Sequence, residues 1–255
     1  MASNVKYIVD QYALPSNLSE MDSRYAFYPL CGFIDNWALR NSYGLCGKQL
    51  SGSRAKGTAI TLSSDLDIFI SISSASIGTL SEIYNSLYNY FNSLNIQCRK
   101  QNVSIGVNYQ NKKVDLVPGK RQHNYGDDHS LYKSKQGTWT QTNITTHITT
   151  IRNSNRAVEI MSTKIWRERH NLDFPSMFLE LAVIEATKNR NYGDFDNNFW
   201  EVLKWLSVNI TSARIIDPAN TNNIISDDLT QNEKRAIANM ASVSLQKQSW
   251  QEIIW

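Results

Sequence analysis

The spacing of apolar residues separates the chain into an amino-terminal part of mixed elements and a carboxyl-terminal part of helices. Apolar positions recur at helical spacing over residues 25–41 and again over 80–94, which predicts a helix in each segment. Short runs rich in valine, isoleucine and tyrosine lie around the second helix and predict strands. The predicted strands cover residues 65–72, 96–100, 103–109 and 113–117.

From about residue 140 onward the apolar spacing indicates helices alone, with breaks at 173–176 and 217–220. The segment 126–140 shows no clear period, so a small hairpin is left open there. Strands followed by helices favour an α+β fold over a doubly wound sheet. The predicted helices of this part cover residues 141–153, 155–170, 175–189, 195–209 and 229–249.

Glycine and proline positions modify these elements. Gly44 and Gly47 predict a loop after the first helix. Gly106 lies within a predicted strand, where a glycine is tolerated at a bulge. Pro118 and Gly119 are expected to end the last strand.

The composition indicates a globular protein. The chain has 255 residues, of which 41% are hydrophobic, so it can bury a core without disulfide bonds. No apolar run approaches ~18 residues, and no basic segment followed by an apolar one opens the chain, so neither a membrane helix nor a secretory signal is expected. The three cysteines are odd in number and widely spaced, which fits neither a disulfide framework nor a zinc site and favours the cytoplasm.

The charge balance argues against a dedicated nucleic-acid-binding protein. The formal net charge is +3, and charged residues make up 19% of the chain. Proteins that bind nucleic acid usually carry a denser basic stripe. We therefore expect no stable nucleic acid partner, although a local basic patch is left open.

Three local features carry candidate chemistry. Gly52 and Ser53 lie in a turn, where a glycine lets the backbone approach a phosphate closely. Asp65 and Asp67 open a predicted strand and point to the same face, where two adjacent carboxylates suit a divalent cation. Asp115 lies within another predicted strand that is otherwise apolar. Taken singly, a plain turn, exposed aspartates and an edge-strand aspartate explain them at least as well, and a plain turn is the better explanation of Gly52 and Ser53 alone.

Taken together, the three features resemble the signature of the polymerase-β-like nucleotidyltransferase superfamily. Its glycine-serine turn, D-x-[DE] pair and later third carboxylate match Ser51-Gly52-Ser53, Asp65-x-Asp67 and Asp115. The resemblance implies a mixed-sheet palm in which the three aspartates hold two Mg²⁺ ions, for which Mn²⁺ can substitute, and Asp115 completes the ion that activates the acceptor hydroxyl. Such ions clamp the attacking hydroxyl and the leaving pyrophosphate of an in-line displacement. The resemblance also implies that Gly52 and Ser53 cradle the β- and γ-phosphates.

The helical part resembles the helical domain shared by oligoadenylate synthases, cyclic GMP–AMP synthases, archaeal-type CCA-adding enzymes and bacterial cyclic-oligonucleotide synthases (CD-NTases). The chain as a whole looks most like the CD-NTases. In these relatives a helix lysine and a serine at the start of the next helix bind the triphosphate, and the matching positions are Lys164 and Ser176. A solvated lysine and a helix-capping serine are the plain alternatives. The resemblance implies a catalytic lobe over 1–140, with an amino-terminal spine helix, and a helical lobe over 141–255.

Four further positions are weaker candidates on the same resemblance. Arg54 and Lys56 flank the glycine-serine turn, where they would contact phosphate or simply be solvated. Arg121 follows the strand of Asp115 and would face an acceptor nucleotide. Met177 stands where many relatives place an aromatic residue that stacks on the donor base.

The function that the resemblance implies is synthesis of a cyclic di- or oligonucleotide second messenger from nucleoside triphosphates in antiphage signalling, with release of pyrophosphate. The implied partners are nucleoside triphosphates and an activating or regulatory protein, without a membrane. Three alternatives stay open at this point: template-independent addition of nucleotides to an RNA 3′ end, as in CCA-adding or poly(A)-like enzymes; nucleotidylation of a protein; and a nucleotide-binding scaffold without turnover.

Overall fold

A computed structural model describes residues 4–63 and 65–254. The chain divides into two compact units, each built from segments that are not contiguous in sequence. The helical unit comprises Met1–Leu14, Lys56–Ser64 and Thr149–Trp255, and the sheet unit comprises Pro15–Ala55 and Asp65–Ile148. A single division near residue 140 therefore omits the early segments that cluster with the helical unit.

The helices and strands alternate irregularly along the chain. The helices are α1 (Asn4–Tyr12), α2 (Ser16–Asp22), α3 (Tyr28–Arg40), α4 (Gly52–Lys56), α5 (Leu80–Ser93), α6 (Ile144–Asn153), α7 (Ala157–Arg169), α8 (Ser176–Ala186), α9 (Phe195–Asn209), α10 (Gln231–Ser244) and α11 (Trp250–Ile254). The strands are β1 (Leu45–Leu50), β2 (Leu66–Ile72), β3 (Gln97–Lys100), β4 (Ile105–Tyr109), β5 (Lys112–Arg121), β6 (His129–Lys133), β7 (Thr138–Thr142), β8 (Ile216–Asp217) and β9 (Asn220–Ile224). One turn of π-helix joins α2 to α3.

The sheet unit contains a mixed seven-stranded sheet in the order β1-β2-β5-β4-β3, with β6 and β7 continuing from the later half of β5. Strands β2 and β5 pair in parallel, and the other neighbours pair antiparallel. Because side chains alternate along a strand, the isoleucines of β2 face one side, and Asp67, Phe69 and Ser71 face the other. This alternation separates the core from the candidate site.

Helices α3 and α5 cover the apolar face of this sheet. Helix α5 begins with a capping box, in which the Glu82 backbone N–H donates to the Thr79 hydroxyl and the Thr79 N–H donates to the Glu82 carboxylate. The buried side chains of α3, α5 and the central strands form one core, and the opposite face of the sheet carries the polar residues. Core members include Leu30, Ile34, Trp37, Ile68, Ile70, Leu87, Phe91, Ile105 and Leu116.

The helical unit has a second core of its own. Helices α1 and α7–α11 contribute apolar side chains to it, including Val5 and Val9 from the amino-terminal helix. Fully buried Trp166 donates its indole N–H to the Ser244 hydroxyl at 2.9 Å, which satisfies its polar atom within the core. No helix in the described part of the chain is both long and apolar enough to span a membrane.

Several predicted elements are confirmed, and the differences have local causes. The helix over 80–94 and the five helices after residue 140 are present within a few residues of their predicted bounds. The predicted loop is present at Gly44 but does not extend to Gly47, because residues 45–50 form strand β1 against β2, with an irregular register between Leu45 and Gly47. The unassigned segment 126–140 contains the hairpin of β6 and β7, and the predicted break at 217–220 contains the shorter hairpin of β8 and β9.

The sequence predicted that strand β5 ends at Pro118, and this prediction is wrong. The strand continues to Arg121, because Pro118 lies where one flank of β5 has no partner: pairing with β4 ends at Leu116 and pairing with β6 begins at Gly119. The missing N–H of proline therefore removes no hydrogen bond from the sheet. Gly106 is not at a bulge, since it pairs in regular register with Asp115. The side chains of Gln101 and Arg99 approach it too closely for a Cβ.

Candidate active site

The turn after β1 holds Gly52 directly against the side chain of Asp67. The Ser51 N–H donates to the Asp67 carbonyl at 2.9 Å, which ties the turn to β2. Gly52 has a φ of +60°, and a Cβ at this position would lie 1.8 Å from Asp67 Oδ2. Both the backbone conformation and the contact therefore require glycine. Ser53 follows as the second residue of α4 and is half-buried.

Asp67 and Asp115 are direct neighbours across the central pair of strands. Their Cα atoms are partners in the parallel register of β2 and β5, so both side chains emerge from the polar face of the sheet. Asp65 lies one residue before β2, and all three aspartates are half-buried. The structure thus brings the predicted Gly52, Asp67 and Asp115 together at one place, with Asp65 close enough to influence Asp115.

The electrostatics of this place suit a cation. Burial raises the pKa of the Asp115 carboxyl and the charge of Asp65 raises it further, whereas the Gln101 hydrogen bond and the Arg99 charge lower it. Like charges that destabilise one another are relieved by a positive ion placed between them. In the described residues, no group of three or more histidine, cysteine or acidic side chains is close enough to hold one metal ion.

Gln101 is a site residue that the sequence analysis missed. Its Nε2 donates to Asp115 Oδ1 at 2.7 Å, and its backbone carbonyl accepts hydrogen bonds from the Tyr84 and Ser134 hydroxyls. A Cβ on Gly106 would lie 2.6 Å from this Nε2, so the glycine makes room for the amide. Gln101 lies in the connection between β3 and β4, and no local motif marks its approach to Asp115.

Arg121 ends β5 on the same polar face, six residues beyond Asp115. Its Nε donates to the Ser71 hydroxyl at 3.2 Å, and Ser71 lies 2.8 Å from His129 Nε2. The His129 Nδ1–H donates to the Asp127 carbonyl at 2.7 Å, so Nε2 accepts the Ser71 proton. Burial lowers the pKa of His129. These side chains line a cavity of about 150 Å³.

Arg54 is placed inside the sheet unit rather than in open solvent. Its guanidinium pairs with Asp22 at 2.8 Å, and both side chains are more than nine-tenths buried. Lys112 pairs with the other oxygen of Asp22 at 2.9 Å. Burial acts to raise the pKa of the Asp22 carboxyl, but Lys112 and Arg54 outweigh it and hold that pKa below its usual value. Arg54 thus anchors the segment that follows the Gly52 turn.

Lys164 and Lys56 share one buried carboxylate in the helical unit. Lys164 Nζ and Lys56 Nζ each lie 2.7 Å from a different oxygen of Glu180 on α8. Lys164 also donates to the hydroxyl of Thr58 at 3.0 Å and is 2% exposed. Burial lowers the pKa of Lys164, and the two ammonium groups together hold the pKa of Glu180 low against the effect of its own burial. Met177 lies beside this cluster, its sulfur 3.5 Å from Lys56 Nζ.

Ser176 is exposed at the first position of α8, and a guanidinium that the sequence analysis missed lies on it. Arg167 Nη1 donates to the Ser176 hydroxyl at 3.1 Å and to the Phe174 carbonyl at 3.0 Å. Its other amino group pairs with Glu168 at 2.8 Å. Arg167 stands one helical turn after Lys164, a spacing that helix geometry alone could have suggested.

Comparisons of the whole chain show its fold. No protein-family model matches the sequence, and no curated protein matches it significantly. CdnC of E. coli MS115-1, solved with ATP, matches with a TM-score of 0.75 and 21% identity, over 94% of this chain and 88% of that chain. CdnG of Bradyrhizobium diazoefficiens, a CD-NTase solved with GTP, matches with a TM-score of 0.75 and 13% identity, over 98% and 94%. CdnE of Elizabethkingia meningoseptica matches with a TM-score of 0.62 and 14% identity, over 88% and 93%.

The chain combines a mixed sheet, which has helices on one face and aspartates on the other, with a helical unit, and this is an α+β fold. More narrowly, the chain has the fold of the bacterial CD-NTases, since CdnC, CdnG and CdnE all match it over most of their length. The expected α+β class, with a polymerase-β-like palm and a helical lobe, is confirmed.

Proposed function

We propose that this protein is a metal-dependent nucleotidyltransferase that makes a cyclic di- or oligonucleotide from nucleoside triphosphates in the bacterial cytoplasm. One observation carries the proposal. Two half-buried aspartates, Asp67 and Asp115, are paired in register on the polar face of the sheet, and a turn with an obligatory glycine packs against one of them. This arrangement places carboxylates next to a backbone that can approach a phosphate.

The residues that would hold divalent cations are Asp65, Asp67 and Asp115. Their hard oxygen donors fit Mg²⁺, and the raised pKa of Asp115 beside Asp65 marks a place where positive charge is favoured. Such ions, two in number on this proposal, would lower the pKa of the acceptor hydroxyl and neutralise charge on the leaving pyrophosphate. Gln101 would hold the Asp115 carboxylate in orientation through its hydrogen bond.

Phosphate contacts are proposed for two groups of residues. In the sheet unit, the turn of Gly52 and Ser53 would meet the β- and γ-phosphates through its backbone. In the helical unit, Ser176 would do so with the Arg167 guanidinium that lies on its hydroxyl. Lys164 would contribute positive charge to phosphate binding without a direct hydrogen bond, because its ammonium is buried and already donates to Glu180.

The structural neighbours support the substrate class. CdnC was solved with ATP, CdnG with GTP, and CdnE, described as a cyclic dinucleotide synthase, with GTP and Apcpp. CdnC was also solved in a complex with HORMA-deltaN. The structure of that complex matches this chain with a TM-score of 0.71. We therefore propose nucleoside triphosphates as substrates and a regulatory protein as a partner of this chain.

The direct test is incubation of the purified protein with each α-³²P-labelled nucleoside triphosphate in a mixture of all four, with Mg²⁺ or Mn²⁺. Products are treated with phosphatase and separated. We expect a small labelled product that resists phosphatase, because a cyclic product has no terminal phosphate. The labelling pattern identifies its bases.

Two outcomes would contradict parts of the proposal. Labelling of added RNA or protein without a small product would preserve the nucleotidyltransferase assignment and overturn the cyclic product. A complete absence of labelled product, also after addition of a lysate of phage-infected cells as a source of activator, would overturn the proposed function.

A further inference from the structure

A cavity of about 230 Å³ opens on the polar face of the sheet, on the side of Asp115 that is away from Asp67. Asp67, Asp115, Gly106 and Arg99 are successive partners across β2, β5, β4 and β3. Gly106 has no side chain, and the side chains of Gln101 and Arg99 lie over it, with Arg99 Nε 2.9 Å from where a Cβ would stand. Adjacent strands are about 4.8 Å apart, which puts the Arg99 backbone roughly 10 Å from that of Asp115.

Two cations line this cavity without an ion-pair partner in the described residues, although the charge of Arg99 is near enough to lower the pKa of the Asp115 carboxyl. Arg99 on β3 and Lys113 on β5 are both exposed, and neither makes a side-chain hydrogen bond or an ion pair with another described residue. Neighbouring basic residues of the sheet unit are used differently. Lys112 pairs with Asp22, and Lys100 donates to Asn85 and lies over the ring of Tyr88. The two cations of the cavity are therefore available to an anion.

The place of the cavity in the reaction follows from in-line geometry. The Gly52 turn contacts Asp67, so the triphosphate of the donor, and with it the leaving pyrophosphate, belongs on the β1 side of the aspartate pair. In an in-line displacement the attacking hydroxyl approaches from the opposite side. The opposite side is the β4 and β3 side, where Arg99 and Lys113 lie. An acceptor whose hydroxyl reaches Asp115 would carry its remaining groups over Gly106.

We propose that Arg99 and Lys113 bind the 5′-phosphate groups of the acceptor nucleotide in the cavity above Gly106. This inference rests on the proposed function and specifies its acceptor: a phosphorylated nucleotide rather than an unphosphorylated hydroxyl compound or an RNA end. Arg99 offers a planar fork that matches phosphate oxygens, and Lys113 supplies a second charge. Asn108, which also lines the cavity, adds an amide donor.

The kinetic test uses one nucleotide analogue that can act only as donor and another that can act only as acceptor. A labelled 2′,3′-dideoxynucleoside triphosphate can serve as donor alone, and a nucleotide with a methylene group between its α- and β-phosphates can serve as acceptor alone. The matching nucleoside is the acceptor without phosphate. We expect the double variant Arg99→Gln/Lys113→Gln to lower kcat/KM for the phosphorylated acceptor by about tenfold or more, because two charged hydrogen bonds are lost.

The same variant should leave the nucleoside acceptor and the KM of the donor within about twofold of the wild type, since neither depends on the lost contacts. The matched control is Lys100→Gln/Lys135→Gln, which removes the same net charge from exposed positions outside the cavity. This control should behave as the wild type. An equal loss in the control, or an unchanged preference for the phosphorylated acceptor in the test variant, would overturn the proposal.

A binding measurement distinguishes failure of this inference from failure of the proposed function. Calorimetry with the methylene analogue and Mg²⁺ needs no turnover. We expect the wild type and the control to bind a donor-side and an acceptor-side molecule, and Arg99→Gln/Lys113→Gln to lose one of them. Unchanged stoichiometry and affinity in an active enzyme would reject the inference alone. Loss of RNA binding with unchanged nucleotide binding would instead assign the cations to RNA and overturn the proposal.

Discussion

At the scale of single residues, two glycines show how the site is assembled by leaving side chains out. Gly52 makes space for the carboxylate of Asp67, and Gly106 makes space for the amide of Gln101, which in turn holds Asp115. The sequence identified Gly52 because the Gly52-Ser53 turn and the Asp65-x-Asp67 pair together match the motif of the nucleotidyltransferase superfamily. It could not identify Gln101, because the contact arises from the way β3 and β4 fold back on β5. That geometry has no sequence period.

The first prediction concerns Gly52. Gly52→Ala should lower the turnover number at least tenfold and destabilise the fold by about 1–2 kcal/mol, because its φ is +60° and the new Cβ would collide with Asp67. The control is Gly57→Ala, where φ is +75° but nothing lies within 4 Å of the added Cβ. Thermal unfolding and steady-state kinetics of both variants give the comparison. Equal losses of turnover in both would show that the contact with Asp67 is irrelevant.

The second prediction concerns the hydrogen bond to Asp115. Gly106→Ala retains Gln101 but moves its amide, since the Cβ would lie 2.6 Å from Nε2, and Gln101→Leu removes the amide. Both should weaken Mn²⁺ binding, measured by the electron paramagnetic resonance of free Mn²⁺, and raise the Mg²⁺ concentration needed for half-maximal rate. Gly47→Ala on β1, where nothing lies within 4 Å, is the control. The double variant should be no worse than either single one, and additive effects would contradict a shared hydrogen bond.

At the scale of elements, the sequence indicated most helices but missed strands that depend on a neighbour. Strand β1 contains Gly47 and polar residues, so its identity comes from pairing with β2 rather than from its own propensity. Strand β5 passes through Pro118 because its flank is unpaired there. On α7, the resemblance implies a triphosphate contact for Lys164, and the structure buries its ammonium on Glu180 of α8, a partner that the sequence did not indicate. Burial of a lysine by a carboxylate sixteen positions away leaves no local signal.

The third prediction tests this buried cluster. Glu180→Gln should lower the free energy of unfolding by about 3–5 kcal/mol, because Lys164 and Lys56 would lose the carboxylate that compensates their burial. Glu185→Gln, on the exposed side of the same helix, should change stability by less than ~0.5 kcal/mol. Denaturant unfolding of both variants measures the difference. A Glu180→Gln protein as stable as the control would refute the role of this cluster in the helical unit.

The fourth prediction concerns His129 on β6. Burial lowers its pKa and outweighs the hydrogen bond to the Asp127 carbonyl, which raises it. The charge of Arg121 lowers the pKa and the charges of Asp127 and Asp128 raise it, so the net shift is downward and the folded protein holds the neutral ring. The pKa of a histidine in the unfolded chain is about 6.5. As the pH falls below this pKa, the unfolded chain binds a proton at this position that the folded protein does not bind, so the free energy of unfolding decreases. His129→Gln should flatten the decrease in melting temperature between about pH 7 and pH 5. The exposed His123→Gln should retain the wild-type slope, and equal slopes in both variants would exclude His129 as the cause.

At the scale of the whole molecule, the sequence indicated the class of fold and the two-lobed organisation. It did not indicate how the segments are divided between the two units. The segment up to Leu14 and the segment Lys56–Ser64 cluster with the later helices. The reason is that α1 presents Val5, Ile8 and Val9 to a core whose other buried members are Ile60 and residues from Ile151 onward. A hydrophobic stripe indicates that one side of a helix is buried, but it does not indicate which element packs against that side.

The central claim is that the aspartates of the sheet unit carry nucleotidyl transfer, and it is tested most directly by pyrophosphate release from nucleoside triphosphates. Asp65→Asn/Asp67→Asn should reduce release to background while keeping the wild-type melting temperature or raising it, because carboxylate repulsion is relieved. Asp10→Asn/Asp35→Asn makes the same charge change at exposed ion pairs and should retain full release. Pyrophosphate release at the wild-type rate from a folded Asp65→Asn/Asp67→Asn protein would contradict the account.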